Sequence, residues 1–413
     1  MLGDRRSTIR STVPFHPRRG ILILLGIAVL STPASIHLAL GEDKAADPRA
    51  SFRAWGAETL AQIDKDLRVG NLYTESGTAA GKKSTEHGSA AFVWPASFQL
   101  RALASAAKLE PRKYAEPLAR YAAALDRYWT ARRGVGGYAV VPGSQERYYD
   151  DNAWMLLGLI DAFEVTKSSK LLERARQVLA FLESGEKKTV GGGIRQHEDK
   201  DGGIFTCTAA PAAVGALRLY LIRKDPKLLE FAKRMHAALT SKEIGLRDGD
   251  GLYHQWARKE GAEWHVERGK RAYQSALPLQ LELLLHRVTG EAAHLSEAQR
   301  IAESALGQWF RKDGTLAETG QWGGSDLCDA LLDLHAVDAD PRWREAVDRA
   351  LLVLHERGRD SAGRYGEDWG VDYSKTPLAE VKLLYIAPVA RAYWRAAAPD
   401  VKEKKGAGKT GKR

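Results

Sequence analysis

Two adjacent carboxylates, Asp150 and Asp151, follow two aromatic rings, Tyr148 and Tyr149, and run into the apolar stretch Met155 to Phe163. A helix that is apolar on all sides is a buried helix, so the pair is expected on the first turn of an inner helix, facing whatever lies above the core. Carboxylates held near a core are costly unless paired or hydrogen-bonded, and two side by side invite a chemical explanation. The simpler reading makes Asp150 an N-cap and Asp151 a favourable charge at the positive end of the helix dipole. Taken alone, the pair reads first as a helix start; the rest of the chain changes the balance.

The elements that must position the pair follow a repeat. A short turn, often Asp-Pro or a near relative, is followed within a few residues by an aromatic or Leu. It appears at Asp47-Pro48, Glu110-Pro111, Ser168-Ser169, Asp225-Pro226, Gly290-Glu291 and Asp340-Pro341. Proline just inside a helix start is favourable because its missing N–H would be unpaired there anyway. Each phrase opens a one-sided amphipathic helix; Leu171, Leu172, Ala175, Val178, Leu179 and Leu182 share one face. Between them come helices that are apolar nearly all round, at about Ala91–Leu109, Asp151–Val165, Thr208–Leu221, Tyr273–Val288, Asp326–Val337 and Pro377–Trp394. Exposed and buried helices in strict alternation predict an all-α toroid of six helical hairpins, an (α/α)6 barrel, as one domain over 47–398. The connections leading into the inner helices, such as Asn71–Ser89, Gly134–Arg147, Gly191–Phe205, Leu246–Lys270, Asp313–Gly324 and Ser361–Lys375, are the longer ones. They would build a cleft at one end of the barrel, the end that carries Asp150 and Asp151.

The two ends of the chain differ from its body. Residues 1–20 carry five Arg and one Asp and precede an apolar run, Ile21 to Leu30, and then Ser31-Thr32-Pro33-Ala34-Ser35. Residues 1–41 therefore read as a secretory signal with cleavage after Ala34 or Gly41; the run is too short to span a membrane. The expected location is secreted, periplasmic or in the cell envelope, with no stable membrane span after cleavage. Residues 399–413 read as a disordered basic tail. Most of the formal charge of +10 belongs to these ends, which removes the high isoelectric point as an argument for a nucleic-acid partner. Cys207 and Cys328 fall in apolar helical runs on different sides of the core and are expected as free, buried thiols.

Other motifs fail on context. Gly77-Thr-Ala-Ala-Gly81-Lys82-Lys83-Ser84 has the wrong spacing for a phosphate loop and no preceding strand, and Gly406-Ala-Gly-Lys409-Thr410 lies in the tail. The histidines show no ligand spacing, so no catalytic metal and no cofactor are expected.

Several phrases together resemble glycoside hydrolase family 76, the endo-α-1,6-mannanases and their relatives. Tyr148-Tyr149-Asp150-Asp151-Asn152-Ala153-Trp154 matches the double-aspartate motif, Phe92-Val93-Trp94-Pro95 the first inner-helix phrase, and Gly191-Gly192-Gly193-Ile194 the glycine turn. Thr206-Cys207-Thr208-Ala209-Ala210-Pro211 and Ala272-Tyr273-Gln274-Ser275 are similar to two later inner-helix starts. The resemblance implies an (α/α)6 barrel and a retaining reaction on an α-mannan-like polysaccharide, with Asp150 as nucleophile and Asp151 as general acid and base. Successive helical residues diverge by about 100°, which is compatible with the roughly 5–5.5 Å carboxyl separation of a double-displacement glycosidase. It also implies substrate contacts from Trp94, Tyr148, Tyr149, Asn152, Gly192, Arg195, Tyr273 and Gln274, with Trp154 as a further aromatic face; a monomer is expected. Three positions depart from the family pattern: Arg195-Gln196 after the glycine turn, where aromatics are usual, and Ala209 and Gln274, where Asn is common. Arg195 would suit an acidic glycan. Two other readings therefore stay open: an unsaturated uronide hydrolase or sugar epimerase on a related barrel, and a glycan-binding protein without turnover.

Overall fold

The computed structural model describes residues 47–188, 191–200, 202–317 and 323–400. The expected signal segment, and all but the first two residues of the expected basic tail, lie outside them. Among the described residues there are twelve α-helices: α1 (Arg49–Leu67), α2 (Val93–Leu109), α3 (Pro111–Ala124), α4 (Tyr149–Thr166), α5 (Ser169–Ser184), α6 (Thr206–Arg223), α7 (Pro226–Thr240), α8 (Ala272–Thr289), α9 (Ala292–Trp309), α10 (Gly323–Asp338), α11 (Pro341–Arg357) and α12 (Leu383–Ala396).

Burial patterns dictate where each helix goes. The even-numbered helices are buried around most of their circumference; α4 buries Tyr149, every residue from Asn152 to Ile160, and Ala162. They touch in the order α2–α4–α6–α8–α10–α12 and back to α2, a closed ring. The odd-numbered helices bury one stripe each, as α5 does with Ala175, Val178, Leu179, Phe181 and Leu182. They pack outside, α3, α5, α7, α9 and α11 on the inner helix that precedes each and α1 on α12. The fold is thus the expected (α/α)6 barrel. Two of the outer-helix phrases work as the sequence suggested: the carboxylates of Asp225 and Asp340 accept the backbone N–H groups of Lys227 and Arg342, each at 3.0 Å, with proline at the next position.

The inner ring is less apolar than its sequence suggested. Arg101 of α2 lies 2.9 Å from Asp326 and 3.4 Å from Asp161. Arg391 of α12 reaches Asp161 at 2.8 Å and Asp329 at 2.6 Å. Arg218 of α6 meets Asp161 at 2.8 Å, Arg395 of α12 meets Asp329 at 3.0 Å and Asp333 at 2.6 Å, and Gln280 of α8 donates to Asp333 at 2.8 Å. One polar network therefore joins all six inner helices. Burial works against the charged forms of Asp161 and Asp329, but the guanidinium groups around them win and hold both carboxyls below their usual range. Asp326 faces a single close guanidinium, and there burial wins, moving it up to about 6.

Two expectations about segments need correction. The last inner helix begins at Leu383 and not near Pro377, because Glu380–Lys382 is extended and pairs antiparallel with Ser76–Thr78. The connection Leu246–Lys270 contains an antiparallel hairpin, His254–Glu260 with Glu263–Lys270, turning at Gly261 with φ 62°. Ile204–Phe205 adds a third strand to it. These pairings tie neighbouring connections to one another around the mouth of the barrel. Cys207 and Cys328 are free and buried, on α6 and α10, as expected.

Removing one partner from a buried ion network leaves the others less fully compensated. Arg391→Met, which leaves Asp161 to Arg218 and Arg101 and Asp329 to Arg395 and Arg101, is expected to lower the free energy of unfolding by up to about 3–5 kcal/mol. Urea titration of the variant against the parent protein measures it.

Candidate active site

Helix α4 begins two residues earlier than the sequence suggested. Its N-cap is Tyr148, with φ −110° and ψ 142°, and no side chain caps it. Asp150 and Asp151 are the second and third helical residues, so neither is the cap that the simpler reading required. Three attachments fix this helix start. The Tyr149 N–H donates to the Gln196 carbonyl at 2.7 Å. Asn152, fully buried, accepts the Tyr138 N–H at 2.8 Å and donates to the carbonyls of Tyr138 and Tyr148 at 2.9 and 2.8 Å. Arg147, also fully buried, holds both oxygens of Glu198, at 2.6 and 2.8 Å, which pins the connection that carries Gln196.

Both aspartates reach the floor of a cleft of about 750 Å³, within the usual span of small-molecule sites. The Gln196 amide donates to Asp150 Oδ2 at 2.7 Å, the backbone N–H of Asp151 donates to Asp150 Oδ1 at 3.0 Å, and the Cys207 thiol stands 3.9 Å from Asp150 Oδ2. None of the described residues donates a hydrogen bond to the Asp151 carboxyl. Burial pushes Asp150 up, to about 6, against the opposing pull of its two donors. Burial pushes Asp151 further, well above the usual carboxyl range, and the neighbouring charges of Asp150 and Glu146 add to it. Burial thus opposes the charge on both acids, and only Asp150 has close donors that offset it.

The walls of the cleft come from several connections. Trp94, Trp154, Tyr273, Tyr373, Leu384 and Tyr385 supply flat and apolar surface; Gln196, Gln255, Cys207, Arg271, Glu367 and Asp368 supply the polar part. Four carboxyl groups against one guanidinium make it an acidic cleft. A smaller depression of about 250 Å³ between α1 and α3 has a single carboxylate, Asp64, already bonded to the Tyr73 hydroxyl at 2.6 Å; nothing there pairs acids.

With this geometry in place, the comparisons fit. The model of glycosyl hydrolase family 76 matches residues 57–330. The chain belongs to glycosyl hydrolase family 76. The structure is similar to a family 76 α-mannanase of Bacteroides thetaiotaomicron, at 27% identity and a TM-score of 0.76, covering 84% of this chain and 95% of that one. It is also similar to an inactive variant of the α-1,6-mannanase GH76A of Salegentibacter sp. HEL1_6, in which two consecutive aspartates are replaced by asparagine, in complex with α-1,6-mannotriose. That likeness has 20% identity and a TM-score of 0.70 and covers 84% and 99% of the two chains. In sequence, 168 residues are 27% identical to the meiotically up-regulated gene 191 protein of Schizosaccharomyces pombe, which is 38% of this chain; the match spans 36% of that relative's length.

The family 76 frame sorts the expected contact residues. Trp94, Trp154 and Tyr273 line the cleft with the aspartates. The others stand elsewhere. Tyr149 is buried and stacked on Phe181 with ring centroids 4.5 Å apart. Tyr148 turns its hydroxyl to Glu146 at 3.1 Å and its edge to His197. Asn152 is consumed by main-chain bonds, so it fixes the helix start. Gly192, at φ 137°, packs against the Arg234 carbonyl of α7, where a Cβ would come within 2.6 Å. Arg195 lies over the Tyr149 ring at 5.6 Å and bonds its hydroxyl at 3.4 Å, outside the cleft lining. Gln274 is fully buried, and its side-chain oxygen accepts the Arg271 N–H at 2.9 Å at the start of α8. Sequence reasoning missed Gln196, which it saw only beside Arg195, and Glu367-Asp368, an acid pair next to Trp369 in a connection already marked as long.

A carboxyl whose folded pKa is raised favours folding only while it is neutral. The penalty is absent below the unfolded value of about 3.9, grows with pH and is complete above the folded value. Asp150→Asn is therefore expected to raise the melting temperature at pH 8 and leave it nearly unchanged at pH 3.5. The shift to about 6 corresponds to on the order of 1–3 kcal/mol at roughly 1.4 kcal/mol per unit. Differential scanning calorimetry at the two pH values is the check.

Proposed function

We propose that this glycoside hydrolase cleaves an α-1,6-linked mannan, within the chain, by double displacement. Asp150 attacks the anomeric carbon while Asp151 gives its proton to the departing glycosidic oxygen; a glycosyl ester on Asp150 results. Asp151, now ionised, takes a proton from water as that water attacks the same carbon, which frees the sugar and restores both carboxyls. The observation that carries this reading is the unequal environment of two neighbouring acids. The acid with two close donors suits the nucleophile, and the acid with none, beside a negative charge, suits the proton donor. The substrate class rests on the family, on the α-mannanase likeness, and on the cleft itself. Aromatic faces at Trp94, Tyr273, Tyr373 and Tyr385 suit sugar rings, and the excess of carboxylates disfavours an anionic glycan.

That charge balance speaks against the uronide reading, which leaned on Arg195, a residue outside the lining. The reading without turnover leaned on Ala209 and Gln274. Both are fully buried, so their departure from asparagine does not remove a group from the cleft. We place the enzyme outside the cytoplasm, on the strength of the charged and apolar N-terminal segment.

Purified protein is expected to release oligosaccharides from α-1,6-mannan and to leave polyuronates intact. The first product seen by proton NMR should be the α-anomer; the β-anomer would overturn double displacement. Asp151→Asn should lower kcat by about 10²–10⁴-fold, and Asp150→Asn should leave no measurable turnover; wild-type rates in either variant would remove that residue from the mechanism. The kcat/KM profile should rise with pH through about 6, where Asp150 ionises, and fall again where Asp151 loses its proton.

A further inference from the structure

On the side of the barrel between α7, α8 and α9 lies a second cluster that the glycosidase reaction does not use. Glu282 of α8 is 1% exposed. His236 Nε2 of α7 is 2.7 Å from its Oε1, and His294 Nδ1 of α9 is 2.6 Å from its Oε2. The three donor atoms lie within 4.8 Å of one another. Nine residues separate Glu282 from Tyr273 along α8, which puts the cluster about 14 Å below the cleft. We propose that His236, Glu282 and His294 form a binding site for a transition-metal dication of the zinc class, a staple across three helices.

The chemistry of the donors selects that class. Two imidazoles and one carboxylate form a borderline set that suits zinc, cobalt or nickel, whereas calcium and magnesium demand oxygens. Charge points the same way. No lysine or arginine pairs with Glu282 among the described residues; its ion-pair partners are these two histidines. With both rings neutral, the cluster is a buried carboxylate without a counter-charge, which is costly. A dication supplies the charge, and both rings already turn a nitrogen toward the same carboxylate.

The geometry needs a small adjustment. Ligand atoms around a tetrahedral zinc at about 2.1 Å stand roughly 3.4 Å apart, so the present contacts would open by under about 1 Å. Metal binding through His294 Nδ1 leaves the proton on its Nε2, which faces Glu291 Oε2 at 3.9 Å. A shift of under about 1 Å would bring that carboxylate into hydrogen-bond reach, the outer contact that commonly orients a ligating histidine. The imidazoles are 25% and 18% exposed, which gives an ion a way in and leaves room for water as a fourth ligand. The residues are 46 and 12 positions from Glu282 along the chain, so no compact ligand motif announces them.

The test uses full-length protein stripped with a chelator, dialysed, and titrated with Zn²⁺ and separately with Co²⁺. The expected result is one Zn²⁺ per chain at micromolar affinity, a visible Co²⁺ absorption band of tetrahedral intensity, and a melting temperature several degrees higher with metal. His236→Gln and His294→Gln should each weaken binding by about tenfold or more, while Asp150→Asn should keep it, which separates this site from the catalytic acids. Glu282→Gln, nearly isosteric, serves if either histidine variant fails to fold. Absence of saturable binding, or binding unchanged in the cluster variants, would overturn the proposal and leave a proton as the cluster's counter-charge.

Discussion

The network of Arg101, Arg391, Asp161, Asp326 and Asp329 is the constraint on which the rest of the barrel depends. Apolar packing alone would let an inner helix, greasy on every side, rotate or slide against its neighbours at little cost. A guanidinium that must meet carboxylates from two other helices does not allow that. Asp161 lies on the same helix as Asp150 and Asp151, eleven residues beyond Asp150, or about 16 Å down the axis. Its bonds to Arg391, Arg218 and Arg101 set the rotation of α4 from below. Replacing such a network by apolar groups is often neutral for stability, so its value is in selecting one register. That register is what turns Asp150 and Asp151 toward the cleft.

The upper end of α4 is fixed by different means. Asn152 spends its whole amide on main-chain groups of Tyr138 and Tyr148, and the Arg147–Glu198 pair holds the segment that delivers Gln196. The cleft floor can then carry two carboxyls in an environment that penalises their charge, because the structure below and around them is over-determined. Local instability at a functional site, offset elsewhere, is a common arrangement. Here the offset is identifiable: buried ion pairs below, and main-chain bonds beside.

Much of the fold was legible in the sequence, for a physical reason. Alternation between one-sided and all-round apolar helices has only a closed double ring as its compact solution, and Pro at helix starts punctuated it. What was not legible depends on contacts remote in sequence. Arg101 and Asp326 lie 225 residues apart, so the polar centre of the barrel looked like stray charges in apolar runs. The start of α12 shifted because Glu380–Lys382 found a strand partner three hundred residues earlier, and local propensity cannot report that. The hairpin at His254–Lys270 was not anticipated, although Glu260-Gly261-Ala262-Glu263 carries a turn signal that could have shown it. At the site, the aspartates were singled out from type and position and Trp94 and Tyr273 through the family resemblance, and all four line the cleft. Tyr149, Asn152 and Gln274 turn out to be buried beside the cleft and not on its lining, because adjacency to a motif does not say which way a side chain points; on a helix start, one neighbour faces the cleft and the next faces the core.

That alternation also explains why the acids sit on a helix and not on one of the connections. Two successive helical residues hold their side chains about 100° apart around the axis, at nearly the same height. Two carboxyls can thus flank one bond without either being threaded on a mobile loop, and rigid elements hold reacting groups more closely than loops do. The helix start brings a second, opposing effect. Its dipole and free N–H groups favour a negative charge, and Asp150, which accepts the Asp151 N–H, takes that benefit. Asp151, without a donor among the described residues, does not. Two chemically identical side chains one residue apart are thereby made different by the backbone that carries them, and that difference is what a reaction requiring both a base and an acid needs.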